Sequence, residues 1–489
     1  MALTRRQFLQ RTGALTAGSI LAPGFFRTPL LRHALAAIDD RFFVVVFLDG
    51  GNDGLNTVVP LGDAGPAALR TAYEAARATG TGGLRLSTTA LTPLQIANDL
   101  NTGTPLALHP GLVGLKNLYD LGKVAVVQGV GYPDYSGSHA EARTAWRTAN
   151  PLGLPSVRNG WLGRYLADNY GSSNIPGVNI EFTVAGEFEQ QATTVLTLER
   201  LQYFLFPFDQ YNLANDYDPK KDAHLALASN AAASLLPVYS YLGTTGSNTL
   251  LATESYQSLH GLYTNERPSW NSAYSALDGN GVGYNGFARD LREVAKVIYG
   301  VKQGVSGVTS RFFEVSNSGY DTHSDQGTDA NSDQHFRLHR RVGDAIEVFY
   351  QDLEDMGLAD KVCILVWSEF GRRILQNDNG TDHGSQGPAF VIGGAVNGGV
   401  YGNHPNINGV DSGAPQALDD GGNTPYSQAA NNLADLTLPF RSTDLRDVYG
   451  TIIKHWLNLD DSQAQGLLPL DTGSADEYWT VPNFDLGFL

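Results

Sequence analysis

The segment GYDTHSDQ sets Asp321 and His323 two residues apart, and in an extended backbone that spacing sends both side chains to the same side. A second acid and imidazole pair, Asp382 and His383, stands in TDHGSQGP. Carboxylate oxygens and imidazole nitrogens are ligands of Zn²⁺, Mn²⁺ and similar divalent ions. With Asp49 and Glu369, the two pairs form a candidate metal set. In GSHAEARTAW, Ser138 and Glu141 have the spacing of a helix-capping box. A hydroxyl at a helix N-terminus also sits in a positive field that attracts phosphate or sulfate, and the two roles can coexist. His139 adjoins Ser138, and Arg372, three residues past Glu369, would clamp a substrate anion if its loop turned inward. Ser138, His139 and Arg372 are thus the candidate catalytic residues. His335 and His339 have a chelating i,i+4 spacing, but no Glu follows His335, so the zinc-protease pattern is absent and both are assigned to a solvated helix face. His109, His404 and His455 are assigned structural roles.

These residues stand beside runs that read as buried strands: Phe42 to Leu48, Val124 to Gln128, Gly177 to Phe182, Arg311 to Val315, Val362 to Trp367 and Ala389 to Ile392. Their near-continuous apolarity implies an α/β fold with a largely parallel sheet sandwiched by helices. Val342, Ile346, Phe349, Leu353 and Met356 share one helical stripe between two of the runs, completing a βαβ unit. Most runs leave into polar clusters: Asp49, Asn52 and Asp53; Tyr132, Asp134, Ser136, Ser138 and His139; Asp321 and His323; Ser368, Glu369 and Arg372. The crevice outside the carboxyl ends of such strands is where these folds bind ligands. Residues near 61–109 and 202–285 read as lid-like insertions into one domain spanning 37–489, and 401–432 as a long surface loop. No G-x-S-x-G elbow or G-x-G-x-x-G fingerprint occurs.

Residues 1–36 pair Arg5 and Arg6 with a weakly apolar stretch and an Ala34 to Ala36 cleavage pattern, the form of a twin-arginine export signal. The expected location is periplasmic or extracellular, with no transmembrane segment in the mature chain. That leader holds five of the 33 basic residues and none of the 50 acidic ones, which leaves a mature charge of −22. Such acidity argues against nucleic acid as a partner and suits cation binding. Cys363, the one cysteine, lies within the apolar run KVCILVW and reads as a packing residue.

The motifs FLDGGNDGLNTVVP, LHPGL, GSHAEARTAW, GYDTH, WSEFGRR, GTDHGSQGPAFVIGG and STDLRDVYGTIIKHWL together resemble the exported family known as domain of unknown function 1501, over nearly the whole mature chain. That family looks related to the alkaline phosphatase and sulfatase superfamily. The resemblance implies Asp49 as a first-strand metal ligand and Ser138 at the nucleophile position. It also implies Asp321 and His323 as a metal-binding pair, Glu369 as the strand-end acid and His383 as the late histidine. Two departures stand out: Glu369-Phe370 replaces the superfamily's Asp-His pair, and no Cys/Ser-x-Pro-x-Arg sequence is present. The implied function is a metal-dependent hydrolase of a small anionic phosphate or sulfate ester. The alternative is a non-catalytic envelope or surface protein that keeps the fold and a bound cation.

Overall fold

The computed structural model describes residues 40–65, 68–132, 135–151, 153–170, 175–181, 186–189, 193–204, 214–277, 286–328, 333–405, 407, 443–469 and 485–489. The expected export leader, Asp134 and most of the expected surface loop lie outside them. In chain order the strands are β1 (Phe42–Asp49), β2 (Val58–Pro60), β3 (Gln95–Asn98), β4 (Pro105–Leu108), β5 (Val124–Gly131) and β6 (Gly177–Asn179). They continue with β7 (Val195–Thr197), β8 (Phe312–Ser318), β9 (Val362–Trp367), β10 (Gln386–Ile392), β11 (Gly399–Tyr401) and β12 (Thr443–Asp444). The helices that matter here are α1 (Leu69–Ala76), α2 (Val113–Asp120), α3 (His139–Thr148), α4 (Ala214–Ala232), α5 (Pro237–Glu266), α6 (Gly286–Lys302) and α7 (Gln334–Asp355).

An apolar run with no polar face can be satisfied only by cover on both sides. β1 has that cover: Val44, Val46 and Leu48 pack into a core with α6, α7 and α2, while Phe43, Val45 and Phe47 pack into a second core with α3. Cys363 is buried in this second core. The expected stripe of α7 is buried throughout, from Val342 to Met356. β8, α7 and β9 form the βαβ unit, with β1 paired in parallel register between the two strands. The large sheet has the order β11-β5-β10-β9-β1-β8-β6-β7, with β12 also on β5. β10 alone runs against its neighbours, so the sheet is mixed at its centre. The third expected strand is shorter than its apolar run, ending at Asn179, and Phe182 lies outside the described residues.

Residues 58–108, which include most of the first expected insertion, carry a three-stranded antiparallel sheet, β2-β4-β3, beside α1. The polar residues after β1 are largely spent on holding it. Asp53 takes a two-pronged ion pair from Arg77, at 2.7 and 3.0 Å, with both side chains fully buried. Asn56 accepts from the Tyr73 hydroxyl at 2.9 Å and donates to the Leu84 carbonyl at 2.8 Å. His335 and His339 correct the sequence reading: they are buried, not solvated, and their Nε2 atoms meet Asn52 Oδ1 at 3.1 Å and Thr57 Oγ1 at 3.0 Å. The i,i+4 face that carries them is turned toward the β1 turn.

In the second segment expected to be an insertion, Tyr256 of α5 meets Ser310, just before β8, at 2.7 Å, and Tyr263 donates to Asp352, near the end of α7, at 2.5 Å. Both contacts are at the sheet edge opposite the strand exits. Among the described helices none is long and apolar enough to cross a membrane.

Burial pushes the Asp53 carboxyl up, but the Arg77 charge and hydrogen bonds outweigh it and hold the group below its ordinary value. A depressed folded pKa makes the pair's contribution present above 3.8 and lost as pH falls through the lower folded value. Arg77→Ala, which leaves the carboxylate buried and unpaired, is expected to cost about 3–5 kcal/mol in urea unfolding at neutral pH, with a smaller cost in acid.

Candidate functional site

β1, β5, β8 and β9 all exit at one edge of the sheet. Because β10 is reversed, its start lies at that same edge and brings Asp382 and His383 there. The turn after β1 is the pivot. Gly50 and Gly51 have φ of 123° and 82°. A Cβ would fall 2.3 Å from the Asp321 nitrogen at Gly50 and 2.2 Å from the Phe370 ring at Gly51, so both positions demand glycine.

Two side chains that follow β9 grip this turn from opposite polarities. Glu369, fully buried, accepts from Gly50 N–H at 3.0 Å and from Gly51 N–H at 3.1 Å. Arg372 donates Nε to the Gly51 carbonyl at 2.7 Å and Nη2 to the Gly50 carbonyl. The same guanidinium reaches the carbonyls of Thr381 at 2.9 Å and Tyr320 at 3.0 Å, and Asp321 Oδ1 at 2.7 Å. Arg372 is therefore not the substrate clamp that the sequence suggested: it is buried, every nitrogen is engaged, and it faces backbone rather than cleft.

Three imidazoles converge on Asp321 in one repeated arrangement. His383 Nδ1 lies 2.7 Å from the Gly137 carbonyl, His323 Nδ1 is 3.1 Å from Asp382 Oδ1, and His139 Nδ1 is 2.8 Å from Glu369 Oε1. Each of those oxygens accepts, so each Nδ1 carries the proton, and a neutral ring then turns a bare Nε2 toward Asp321. His323 Nε2 and His383 Nε2 are 3.0 Å apart, and each is 3.2 Å from Asp321 Oδ1. His139 Nε2 stands 3.5 Å from Asp321 Oδ2. Three acceptor atoms this close repel one another unless a cation or an added proton lies among them. An ion about 2.1 Å from each of two ligands separates them by about 3.0 Å at right angles and about 3.4 Å in a tetrahedron, so the spacing fits a divalent metal. His139, Asp321 and His383 also present ligand atoms within 4.8 Å of one another.

The other candidates take different places. Asp382 orients His323 from behind, as carboxylates do for metal-bound imidazoles. Asp49 is drawn away from the triangle: its carboxylate pairs with Arg143 and accepts from Ser318 Oγ at 3.0 Å. Glu369 is bound to backbone N–H groups and His139 rather than to the triangle. Phe370, next to Glu369, packs its ring 4.9 Å from His139 and 4.5 Å from His383. It supplies an apolar wall instead of a ligand.

Electrostatics reinforce this arrangement. Burial raises the Asp321 carboxyl, but Arg372 prevails, through its hydrogen bond and its charge, and brings it to about 2. For Glu369 burial is again the largest influence and again loses, here to the His139 hydrogen bond, so the group sits below the usual carboxylate value. The same bond raises His139.

Ser138 caps α3 by position, yet its hydroxyl makes no capping bond. The expected box with Glu141 is not formed, because Ser136 Oγ donates to Glu141 at 2.5 Å and itself accepts from Ser138 N–H at 3.1 Å. Ser138 is left exposed, adjoining the Gly137 carbonyl that holds His383. Sequence reasoning missed Arg143. It follows His139 by one helical turn, lies 5.6 Å from the Phe47 ring, pairs with Asp49 and Glu369, and keeps a third of its side chain exposed. The i,i+4,i+8 series His139, Arg143, Arg147 was the available signal.

Residues 301–453 match a family model described as Protein of unknown function (DUF1501). That span holds the Asp321, His323, Glu369 and His383 motifs and excludes β1 and α3. No curated protein matches the chain. Among solved structures, the lipoteichoic acid synthase LtaP from Listeria monocytogenes is similar at 10% identity and a TM-score of 0.31, over 77% of this chain and 74% of that one. A variant of the alkaline phosphatase PafA is similar at 10% identity and a TM-score of 0.30, over 68% of this chain and 64% of that one. Likenesses of this size carry no argument about chemistry here.

Arg372→Lys keeps the charge but loses the planar fork that reaches four carbonyls and Asp321. It is expected to lower stability by at least about 3 kcal/mol in chemical denaturation, since Lys cannot replace several charge-assisted bonds at fixed geometry.

Proposed function

We propose that the chain is a metal-dependent hydrolase of phosphate or sulfate esters, with Asp321, His323 and His383 holding a divalent ion such as Zn²⁺ or Mn²⁺ and His139 beside them. The observation that carries this reading is the cluster of bare Nε2 atoms around Asp321, each backed at Nδ1 by a fixed acceptor. A bound divalent ion supplies stabilisation of negative charge developing on the ester oxygens, an effect worth several kcal/mol.

The chain's own groups supply the rest. Arg143, the partly exposed cation that pairs with Asp49 and Glu369, is the candidate to take an anionic ester oxygen. Ser138, with a hydroxyl unspent in capping at the N-terminus of α3, is the candidate nucleophile. Its oxygen would bond to phosphorus or sulfur as the alcohol leaves, and water would release the acid in a second step. Its proton would pass to a neighbouring imidazole; His139, next in sequence and oriented by Glu369, is the candidate acceptor. Phe370 fills the place of a further ligand, which supports one ion rather than two.

Elemental analysis of the purified chain is expected to find one transition metal per chain, lost in Asp321→Ala and His323→Ala. Asp382→Asn is expected to weaken its binding by about 10–100-fold while leaving the fold intact. Ser138→Ala is expected to keep the metal and lose turnover of aryl phosphates or sulfates by roughly two orders of magnitude or more. Metal retained by His323→Ala would remove that residue from the site. Stoichiometric metal without any ester turnover would favour the non-catalytic reading instead.

A further inference from the structure

From Ala223 to Thr253 the chain carries no Asp, Glu, Lys or Arg, although 17% of its residues are charged and its formal net charge is −17. This uncharged span forms most of a helical hairpin, α4 with the first half of α5, whose two helices meet closely at Gly243: a Cβ there would fall 2.1 Å from the Ala232 nitrogen. The far half of α5 grips the body through Ala252, Tyr256, Leu259 and Tyr263, and Asn248 still reaches Thr194 at 2.9 Å. The part beyond, from Pro237 to about Ser247, extends roughly 15–20 Å at 1.5 Å per residue.

The exposed apolar residues of this hairpin are densest at its end, with Leu227 and Leu251 exposed singly farther down. Leu235 is 100% exposed, and Leu236, Val238, Tyr239 and Leu242 are 58–60% exposed. Five large apolar side chains at one turn are more than the scattered exposure normal for a surface. Along the helix the polar residues Ser240, Thr244, Thr245 and Ser247 interrupt them. Two hairpins assembling into a bundle would need a continuous apolar stripe along their length, which two single leucines do not make, whereas a dense cap at the apex suits shallow insertion.

We propose that this hairpin tip docks into the interface of a lipid bilayer, burying Leu235, Leu236 and their neighbours at the boundary between headgroups and acyl chains. Charge supports lipid as the occupant. An acidic body is repelled by anionic headgroups, but the arm exceeds the Debye length of about 8 Å at physiological salt, so the neutral tip reaches the surface with the body held off. A tip without charged residues forms no salt bridges with a protein partner. Tyr239 has the amphipathic ring that suits the headgroup level. The contact would be shallow, because no described helix is able to span a membrane.

The test is flotation of the full chain with phosphatidylcholine vesicles, with and without phosphatidylglycerol. The expected result is binding to the zwitterionic vesicles that is insensitive to salt and not increased by the anionic lipid. The double substitution Leu235→Ser with Leu236→Ser should reduce partition by about tenfold or more while the thermal melt stays unchanged. Failure of the folded wild-type chain to float would overturn the proposal, as would equal flotation of the double variant. A dimer in sedimentation velocity that the double variant dissociates, without vesicle binding, would overturn it in favour of a second copy of the chain.

Discussion

One turn of backbone, Gly50–Gly51, is held by both of its hydrogen-bonding polarities at once. Glu369 takes its N–H groups and Arg372 takes its carbonyls, and both side chains leave β9 within one short segment. The turn can be approached this closely only because neither residue has a Cβ. Since Arg372 also binds Tyr320, Thr381 and Asp321, the same guanidinium fixes the exits of β1 and β8 and the segment before β10 relative to one another. The imidazole cluster depends on that registration, because Asp321, His323 and His383 come from two of the segments that Arg372 joins.

This construction gives the carboxylates of the site distinct tasks. Glu369 binds backbone and His139, Asp382 orients His323, Asp49 restrains Arg143, and Asp321 alone stands where three Nε2 atoms converge. Asp53, although in the same polar turn as Asp49, belongs to a buried pair that ties this turn to Arg77 at the end of α1. Acids of one type thus differ through the donors that reach them, and only Asp321 combines a strongly depressed pKa with a half-exposed side chain facing imidazoles.

Much of the frame was legible in the sequence. β1, β5, β8 and β9 were visible because strands covered on both faces must be apolar at nearly every position, and α7 because its stripe has a helical period. The pairs at Asp321 and Asp382 stood out by residue type and spacing. The reversal of β10 was not visible, since direction leaves no mark on a short apolar run. The roles of Arg372 and Asp49 were misread because the relevant partners are distant in sequence: backbone carbonyls for the first and Arg143 for the second. His335 and His339 misled for a related reason. A polar pair on a helix looks solvated until the opposing surface, here Asn52 and Thr57, is known to be polar too.

The reversed β10 also bears on the order in which the protein can be built. It lies between β5 and β9, so until residues 386–392 have left the ribosome the β5 edge and the β9 edge have no strand to join them. The β5 edge must stay open through more than half of synthesis, whereas β9 emerges shortly before its partner; the closing contact with β5 spans over 250 residues of chain, a separation that slows folding and favours aggregation. His383 stands immediately before that strand. Completion of the sheet and completion of the imidazole cluster are therefore one late event, because Asp321 and His323 are synthesised before Arg372, Asp382 and His383, the residues that fix and complete them.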